Sequence, residues 1–287
     1  MRNRTPTQER IALPVRWEIG EVGLLVVLSA GAALVMVPFV WMILSSFKTS
    51  AEIIKVPITW WPQRFSLSAY RDMWAAIPLL QGYKNSLIVC GASTAFVLFT
   101  SSITGYVLAK KRFFLRDMIF IFVLSTIMVP FVVLMVPLYV EMVRLGFKDT
   151  LAGLIIPGIY SSFGIFLMRQ FMHGIPDELI DAAIMDGAGD LRIYAQIIIP
   201  LTKAALAALA IFTFTDAFNA FLWPLIMIDS RDKETLPLVL AKMTGSNVIH
   251  YNWQMAAAVL SIVPVVIFYA IFQRNFVQGI ALTGLKA

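Results

Sequence analysis

Few side chains in this sequence could do chemistry, and those few sit in apolar surroundings. Asp216 lies well inside an apolar run. Asn219 follows three residues later, and Trp223 four beyond that. In a helix those spacings put all three on one stripe. A carboxylate, an amide and an aromatic plate on one stripe suit a sugar. Hydroxyls need directional acceptors and donors, and the C–H faces of a sugar ring stack on aromatics. A charge near the centre of a bilayer is costly unless paired or wet, which makes Asp216 and Asn219 candidates for lining a solute pathway. Tyr160, Ser161 and Ser162 lie at similar depth in an earlier apolar run and are weaker candidates. Trp223 fits packing or an interfacial anchor as well, since tryptophan favours the membrane boundary. The competing reading of Asp216 is a bond to a neighbouring helix, out of reach of solute.

Other chemistries lack their residues. The two histidines, His173 and His250, are far apart, and a zinc site needs three or four converging side chains. A single cysteine, Cys90, excludes an internal disulfide and a multi-cysteine metal site. No G-x-x-x-x-G-K-[ST] loop occurs, so the chain does not itself hold ATP. No nucleophile–histidine–carboxylate set can be drawn. The expectation is a chain that is not an enzyme on its own and binds no metal or cofactor.

The elements that must position these residues are membrane helices. Hydrophobic residues make up 59% of 287, only 14% are charged, and the mean hydropathy is +0.80. A soluble domain of that composition would expose too much apolar surface. Six apolar segments, at about 22–47, 85–109, 118–142, 151–172, 204–228 and 254–273, are each long enough to cross a core about 30 Å thick. The fold class expected is all-α, a polytopic membrane protein forming one domain over 1–287. The first segment is too long for a signal-peptide core and reads as an uncleaved span. The net charge of +6 is no nucleic-acid signal, because the basic residues sit beside apolar runs. The tail 1–21 holds Arg2, Arg4, Arg10 and Arg16, and the short loop 110–117 holds Lys110, Lys111, Arg112 and Arg116. That density puts both on the cytoplasmic side of the inner membrane, together with 173–203, the tail 274–287 and both termini. Residues 48–84 then form an outer segment whose Trp60, Trp61 and Trp74 suit the interface. Prolines 38, 130, 137, 157, 224 and 264 fall inside the spans and invite kinks. Small residues such as Gly31, Gly91, Ser101 and Gly105 suit close helix approach.

The stretch 177–200 is a charged, small-residue island between two apolar runs. It reads as two short helices broken at Gly187–Ala188–Gly189. Pro176 suits a first helical position, and Asp177 and Glu178 suit the positive end of a helix dipole. Asp190 is a plausible cap for the second helix, and Pro200 should stop it. Ala182, Ala183 and Gly187 are small enough for close approach by a partner. Ile180 and Ile184 share a face, and Glu178, Asp181 and Asp186 supply acidic contacts.

The order Asp181-Ala182-Ala183, three residues, Gly187, nine residues, Ile197-Ile198-Ile199-Pro200 resembles the cytoplasmic "EAA" signature of permease subunits of bacterial ABC importers. That signature has Glu where Asp181 stands and Leu where Ile199 stands. Pro176-Asp177-Glu178-Leu179, Asp186-Gly187-Ala188, the run Phe218 to Leu225 and the run Gln273 to Ile280 look like the maltose-type carbohydrate importers, and their smaller, six-span permease in particular. The resemblance implies that Glu178, Asp181, Ala182, Ala183, Asp186, Gly187, Ala188 and Pro200 belong to a coupling loop seated in a cleft of a cytoplasmic ATPase. It implies a second, related permease chain, two ATPase subunits holding ATP and Mg, and an extracytoplasmic binding protein that delivers a sugar-class solute. In this family the C-terminal tail can also reach the ATPase. The alternative is a secondary transporter driven by an ion gradient. It should carry more intramembrane ionisable groups and internal repeats, and neither is found. A membrane enzyme acting on lipids would need converging catalytic side chains.

Overall fold

A computed structural model describes residues 19–244 and 250–284, with side chains over 22–243 and 250–273. The arginines of the N-terminal tail and the side chains of the tail 274–287 lie outside these ranges. Twelve helices matter for function. In chain order they are α1 (Ile19–Ser46), α2 (Leu79–Lys110), α3 (Arg116–Ile127), α4 (Phe131–Arg144), α5 (Leu151–Ile155), α6 (Ser162–His173), α7 (Glu178–Met185), α8 (Asp190–Ile193), α9 (Lys203–Asn219), α10 (Leu222–Met227), α11 (Leu236–Thr244) and α12 (Tyr251–Gly284). No strand occurs among the described residues.

Val22–Ser46, Leu79–Lys110 and Tyr251–Gln273 are each long and apolar enough to cross a bilayer. Three further crossings are possible only as bent pairs. Arg116–Ile127 and Phe131–Arg144 meet at 99°, Leu151–Gly158 and Ser162–His173 at 43°, and Asp190–Leu201 and Lys203–Asn219 at 76°. Within the apolar segments 118–142, 151–172 and 204–228 the helix is interrupted at 128–130, 159–161 and 220–221, and the prolines expected to invite kinks explain most of it. Pro130 pushes the residue before it away from helical backbone, and α4 starts afresh after it. Pro224 would clash with the carbonyl of Ala220, four residues back, and α9 ends at Asn219 with Ala220 extended. Pro224 is then accommodated in the first turn of α10. Prolines 38, 137 and 264, by contrast, sit inside helices that continue past them.

α2 is the central helix, packed against α6 and α9, and small residues let it approach closely. A Cβ added at Gly105 would lie 2.7 Å from Met168 Cβ and 3.0 Å from the Arg169 nitrogen. One added at Gly164 would lie 2.4 Å from Ser101 Oγ. Gly31 and Gly91 face open space instead, so the expected close approach is made by Gly105 and Ser101. The outward faces remain apolar and uncovered, as at Val27, Leu34 and Phe122, which suits hydrocarbon rather than water. Trp60, Trp61 and Trp74 are all exposed, and Trp60 meets Trp41 of α1 edge-on at 5.3 Å. Lys48 donates to the Thr59 carbonyl and lies 4.3 Å from the Trp41 ring centre, which ties the segment after α1 to the end of that helix.

A polar knot fastens the loop after α4. Asp149 adopts a left-handed backbone (φ 57°). Its carboxylate accepts from the backbone of Asp229 and Ser230, from the Ser230 hydroxyl and from Lys233. The Ser230 hydroxyl above all holds this carboxyl far below the usual carboxylate range.

Candidate functional site

Two places in the bundle could do work: the loop between α6 and α9, and a largely apolar cavity with a few polar side chains. The loop is built on a dry platform. Ile175, Ile180, Ile193 and Ile198 are buried with Met168, Met172 and Leu209. Ala183 and Ala188 pack on the same cluster. α7 ends in a Schellman turn: the Gly187 N–H donates to the Ile184 carbonyl and the Ala188 N–H to the Ala183 carbonyl, both at 2.9 Å. Gly187 takes φ +78°, which L side chains rarely adopt. A Cβ there would meet nothing within 4 Å, so within this chain it is backbone conformation, not crowding, that requires glycine.

Several details differ from the sequence expectation. α7 starts at Glu178 with Asp177 at the N-cap, so Pro176 lies one residue before the cap. Gly189 caps α8, and Asp190 is its first residue. The helical path does not stop at Pro200. Residues Tyr194–Ile198 form a π turn, Pro200 sits inside the short helical turn Ile199–Leu201, and the chain bends by 76° only around Thr202. Ile180 is buried, whereas Ile184 points outward.

What the loop presents outward is mixed apolar and acidic. Glu178, Asp181, Ala182, Asp186, Gly187 and Pro200 are exposed. Met185 is 87% exposed and Leu191 79%. Glu178, Asp181 and Asp186 make no ion pair among the described residues.

The other two carboxylates of the loop are paired with Lys110 and Lys111, whose place in the sequence speaks only to topology. Lys110 Nζ lies 2.6 Å from Asp177 Oδ1 and donates to the Ile175 carbonyl. Its side chain is 5% exposed, while that of Asp177 is 72% exposed. Lys111 donates to Asp190 Oδ1 and lies over the Tyr106 ring. The hydrogen bond from Lys110 holds the Asp177 carboxyl below its usual range, and that to Asp190 raises Lys111. The signal available in sequence was the pair of lysines closing an apolar helix. Their partners lie 67 and 79 residues away, and no local pattern reveals them.

A cavity of about 620 Å³ lies between α2, α9 and the broken segments. Asp216, Asn219 and Trp223 all line it, joined by Ser86, Ser93, Thr213 and Thr235. All three helix breaks in its neighbourhood border it, through Phe131, through Pro157 and Gly158, and through Ala220 and Phe221. Non-helical backbone at membrane depth is tolerated where it is buried in protein or lines a wet cavity. Asp216 and Asn219 are exposed and form no hydrogen bond or ion pair among the described residues. The Thr235 hydroxyl is buried there without a partner.

Trp223 has a structural duty. It is 7% exposed, and its Nε1 donates to the Gly153 carbonyl at 3.0 Å. Gly153 is the residue whose helical acceptor bond Pro157, four residues on, cannot make. The indole thus replaces the N–H that proline lacks. Tyr160 and Ser161 stand outside the cavity lining. Ser161 Oγ caps α6 by accepting from Gly164 N at 3.0 Å. The Tyr160 hydroxyl accepts from Ser162 at 3.0 Å. His250 stacks on Trp253 at 4.3 Å, and His173 is exposed in the last turn of α6.

Residues 101–282 match the family described as the binding-protein-dependent transport system inner membrane component. The chain is 34% identical over 258 residues to the arabinooligosaccharides transport system permease protein AraQ of Halalkalibacterium halodurans, covering 89% of this chain and 92% of that one. It is 34% identical to the lactose transport system permease protein LacG of Rhizobium radiobacter, over 88% and 92% of the two chains. It is 31% identical to the sn-glycerol-3-phosphate transport system permease protein UgpE of Escherichia coli, over 87% and 92%. In fold it matches a chain of a bacterial ABC transporter involved in the import of the acidic polysaccharide alginate, with a TM-score of 0.77 at 24% identity, over 95% of this chain and 100% of that one. Relatives of this kind favour an importer subunit over an ion-gradient transporter. The chain belongs to the family of inner-membrane permease components of binding-protein-dependent transport systems.

Proposed function

We propose that this chain forms half of the translocation pathway of an ATP-driven importer for an uncharged sugar-class solute. A second permease, related to it, completes the pathway. Two cytoplasmic ATPase subunits carry ATP and Mg, and an extracytoplasmic binding protein delivers the solute. Both termini and the 173–203 loop lie on the cytoplasmic side. The relatives that carry arabino-oligosaccharides and lactose support the sugar class. Asp216, Asn219, Ser93 and Thr213 offer acceptors and donors to hydroxyls inside a cavity of about 620 Å³, the size of a small-molecule site. The lining includes one carboxylate and no basic side chain among the described residues, which favours a neutral solute over a phosphate.

The observation that carries the reading is the outward face of the α7–α8 pair. Unpaired Glu178, Asp181 and Asp186 stand beside exposed Met185 and Leu191, all on a rigid mount. A short helix with small, apolar and acidic residues fits a groove in a soluble partner. ATP-driven closure of the ATPase dimer would move this pair, and differential stability of the inward- and outward-open states would do the rest. Gly187→Asp tests it in the assembly reconstituted into liposomes. Aspartate tolerates a left-handed backbone better than most residues, as Asp149 shows, so the substitution acts chiefly by adding a charge and bulk to the docking face. The expected result is loss of solute uptake and of solute-stimulated ATP hydrolysis together. Normal values for both would count against docking at this loop.

A further inference from the structure

We infer that Lys110 and Lys111 are positioning residues that make α2 a direct strut between the ATPase-facing loop and the cavity; this rests on the docking role proposed above.

The loop has two joints, one between α6 and α7 and one between α7 and α8. Lys110 grips the first through Asp177, at the N-cap of α7, and through the Ile175 carbonyl. Lys111 grips the second through Asp190, the first residue of α8. Both lysines sit where α2 ends: Lys110 is its last residue and Lys111 its cap. Cations at a helix C-terminus and carboxylates at helix N-termini are each favoured by the helix dipoles, so the pairing is reinforced on both sides. A third hold comes from Tyr194 in the π turn. Its hydroxyl lies 2.7 Å from Ser102 Oγ, and its ring lies 5.6 Å from that of Tyr106, both on α2.

The covalent routes out of the loop are less direct. Toward α9 the chain passes through a π turn and a 76° bend. α2 runs without a break from Lys110 to Ser93 and Ser86, which line the cavity. At 1.5 Å per residue, Ser93 lies about 25 Å along the helix from Lys110. An unbroken helix clamped at both joints of the loop carries a displacement of that loop to the cavity wall. The clamps also explain why two lysines sit side by side at this end. Lys110 is helical and Lys111 is already extended, and the two side chains part toward separate joints.

The test uses the complete assembly, with Ser93→Cys as reporter in a Cys90→Ser background and ATP–Mg as the probe. The rate at which a membrane-impermeant maleimide labels position 93 is measured with and without ATP–Mg. In the otherwise unaltered chain the nucleotide changes that rate. In Lys110→Met/Lys111→Met the ATPase still co-purifies, but the nucleotide-dependent change shrinks by about fivefold or more, the lower end of usual coupling free energies. Lys111→Asp alone does the same, and adding Asp190→Lys restores the response. A double methionine variant that responds as fully as the unaltered chain overturns the inference, and so does a charge swap that restores nothing. If the double variant fails to assemble, the swap decides by itself. Loss of ATPase co-purification from the unaltered chain would instead overturn the docking reading, and the strut with it.

Discussion

The two ends of α2 treat polar groups in opposite ways. At the loop end, the carboxylates that face the bundle are matched: Asp177 to Lys110 and Asp190 to Lys111. Beneath them lies a dry layer of isoleucine and methionine. At the cavity end, Asp216, Asn219 and the Thr235 hydroxyl have no partner among the described residues, and the backbone around them is broken three times. The Thr235 hydroxyl is buried and unpaired, which is costly unless water or a ligand meets it, whereas Asp216 and Asn219 are open to the cavity. The match at the loop end covers its bundle-facing carboxylates only, since the Tyr106 and Ser101 hydroxyls on the same half of α2 are buried without a partner among the described residues. On the function proposed above, paired charges would receive force at one end and open polar side chains would meet solute at the other.

The sharpest way to break the contrast is to spoil the packing both ends share. Gly105→Leu should prevent the α2–α6 crossing, because even a Cβ there comes within 2.7 Å of Met168 Cβ. Overpacking of this kind costs about 1–3 kcal/mol or more. The purified protein in detergent should unfold at a clearly lower temperature or fail to accumulate. An unchanged Tm would mean that the crossing is not tight.

Asn219→Ala addresses the cavity end alone. Loss of one hydrogen bond worth about 1 kcal/mol should raise the solute concentration for half-maximal uptake about fivefold, with assembly intact. Uptake unchanged across solute concentrations would remove Asn219 from the pathway.

Trp223→Phe separates structure from solute contact within the same cavity. It leaves the Gly153 carbonyl without its donor and should lower stability by about 1 kcal/mol. A thermal melt reads this, and a shift in solute affinity without a shift in Tm would reverse the assignment.

The smallest effect concerns pH. The Asp177 carboxyl is held low, so its contribution is complete above the unfolded value of about 4 and is lost as pH falls through the folded value. Lys111 is raised, so its contribution is complete below about 10.4 and is lost as pH rises through the folded value. Neither titrates between about pH 6 and 8, and the nucleotide response at position 93 should be flat there. A slope in that window would mean that another group governs the clamp.

Legibility in the sequence followed the range of the interaction. The helix break at 187–189 was readable because glycine reports local backbone conformation, and Gly187 indeed takes positive φ. The pairing of Asp216 with Asn219 was readable because both lie in α9 at helical spacing; Trp223 reaches the same cavity from α10, across the break at Ala220, so the single stripe expected for all three does not form. Tyr160 and Ser161 were grouped with them by apparent depth alone. The break at Pro157 instead turns Ser161 into a cap. Prolines flagged where kinks could occur but not which would open. Prolines 38, 137 and 264 stay within helices, while Pro130, Pro157 and Pro224 border breaks.

By itself the sequence determined that this chain is a helical membrane protein, roughly where its apolar segments lie, and which loop carries the signature-like spacing. Those properties depend on composition and on neighbours within a turn or two. Only the tertiary structure decided that Lys110 and Lys111 hold that loop, that an indole replaces a proline's missing N–H, and that three helix breaks surround one hollow. Each of those pairs groups separated by tens of residues, and such pairs are fixed by packing geometry rather than by any local pattern.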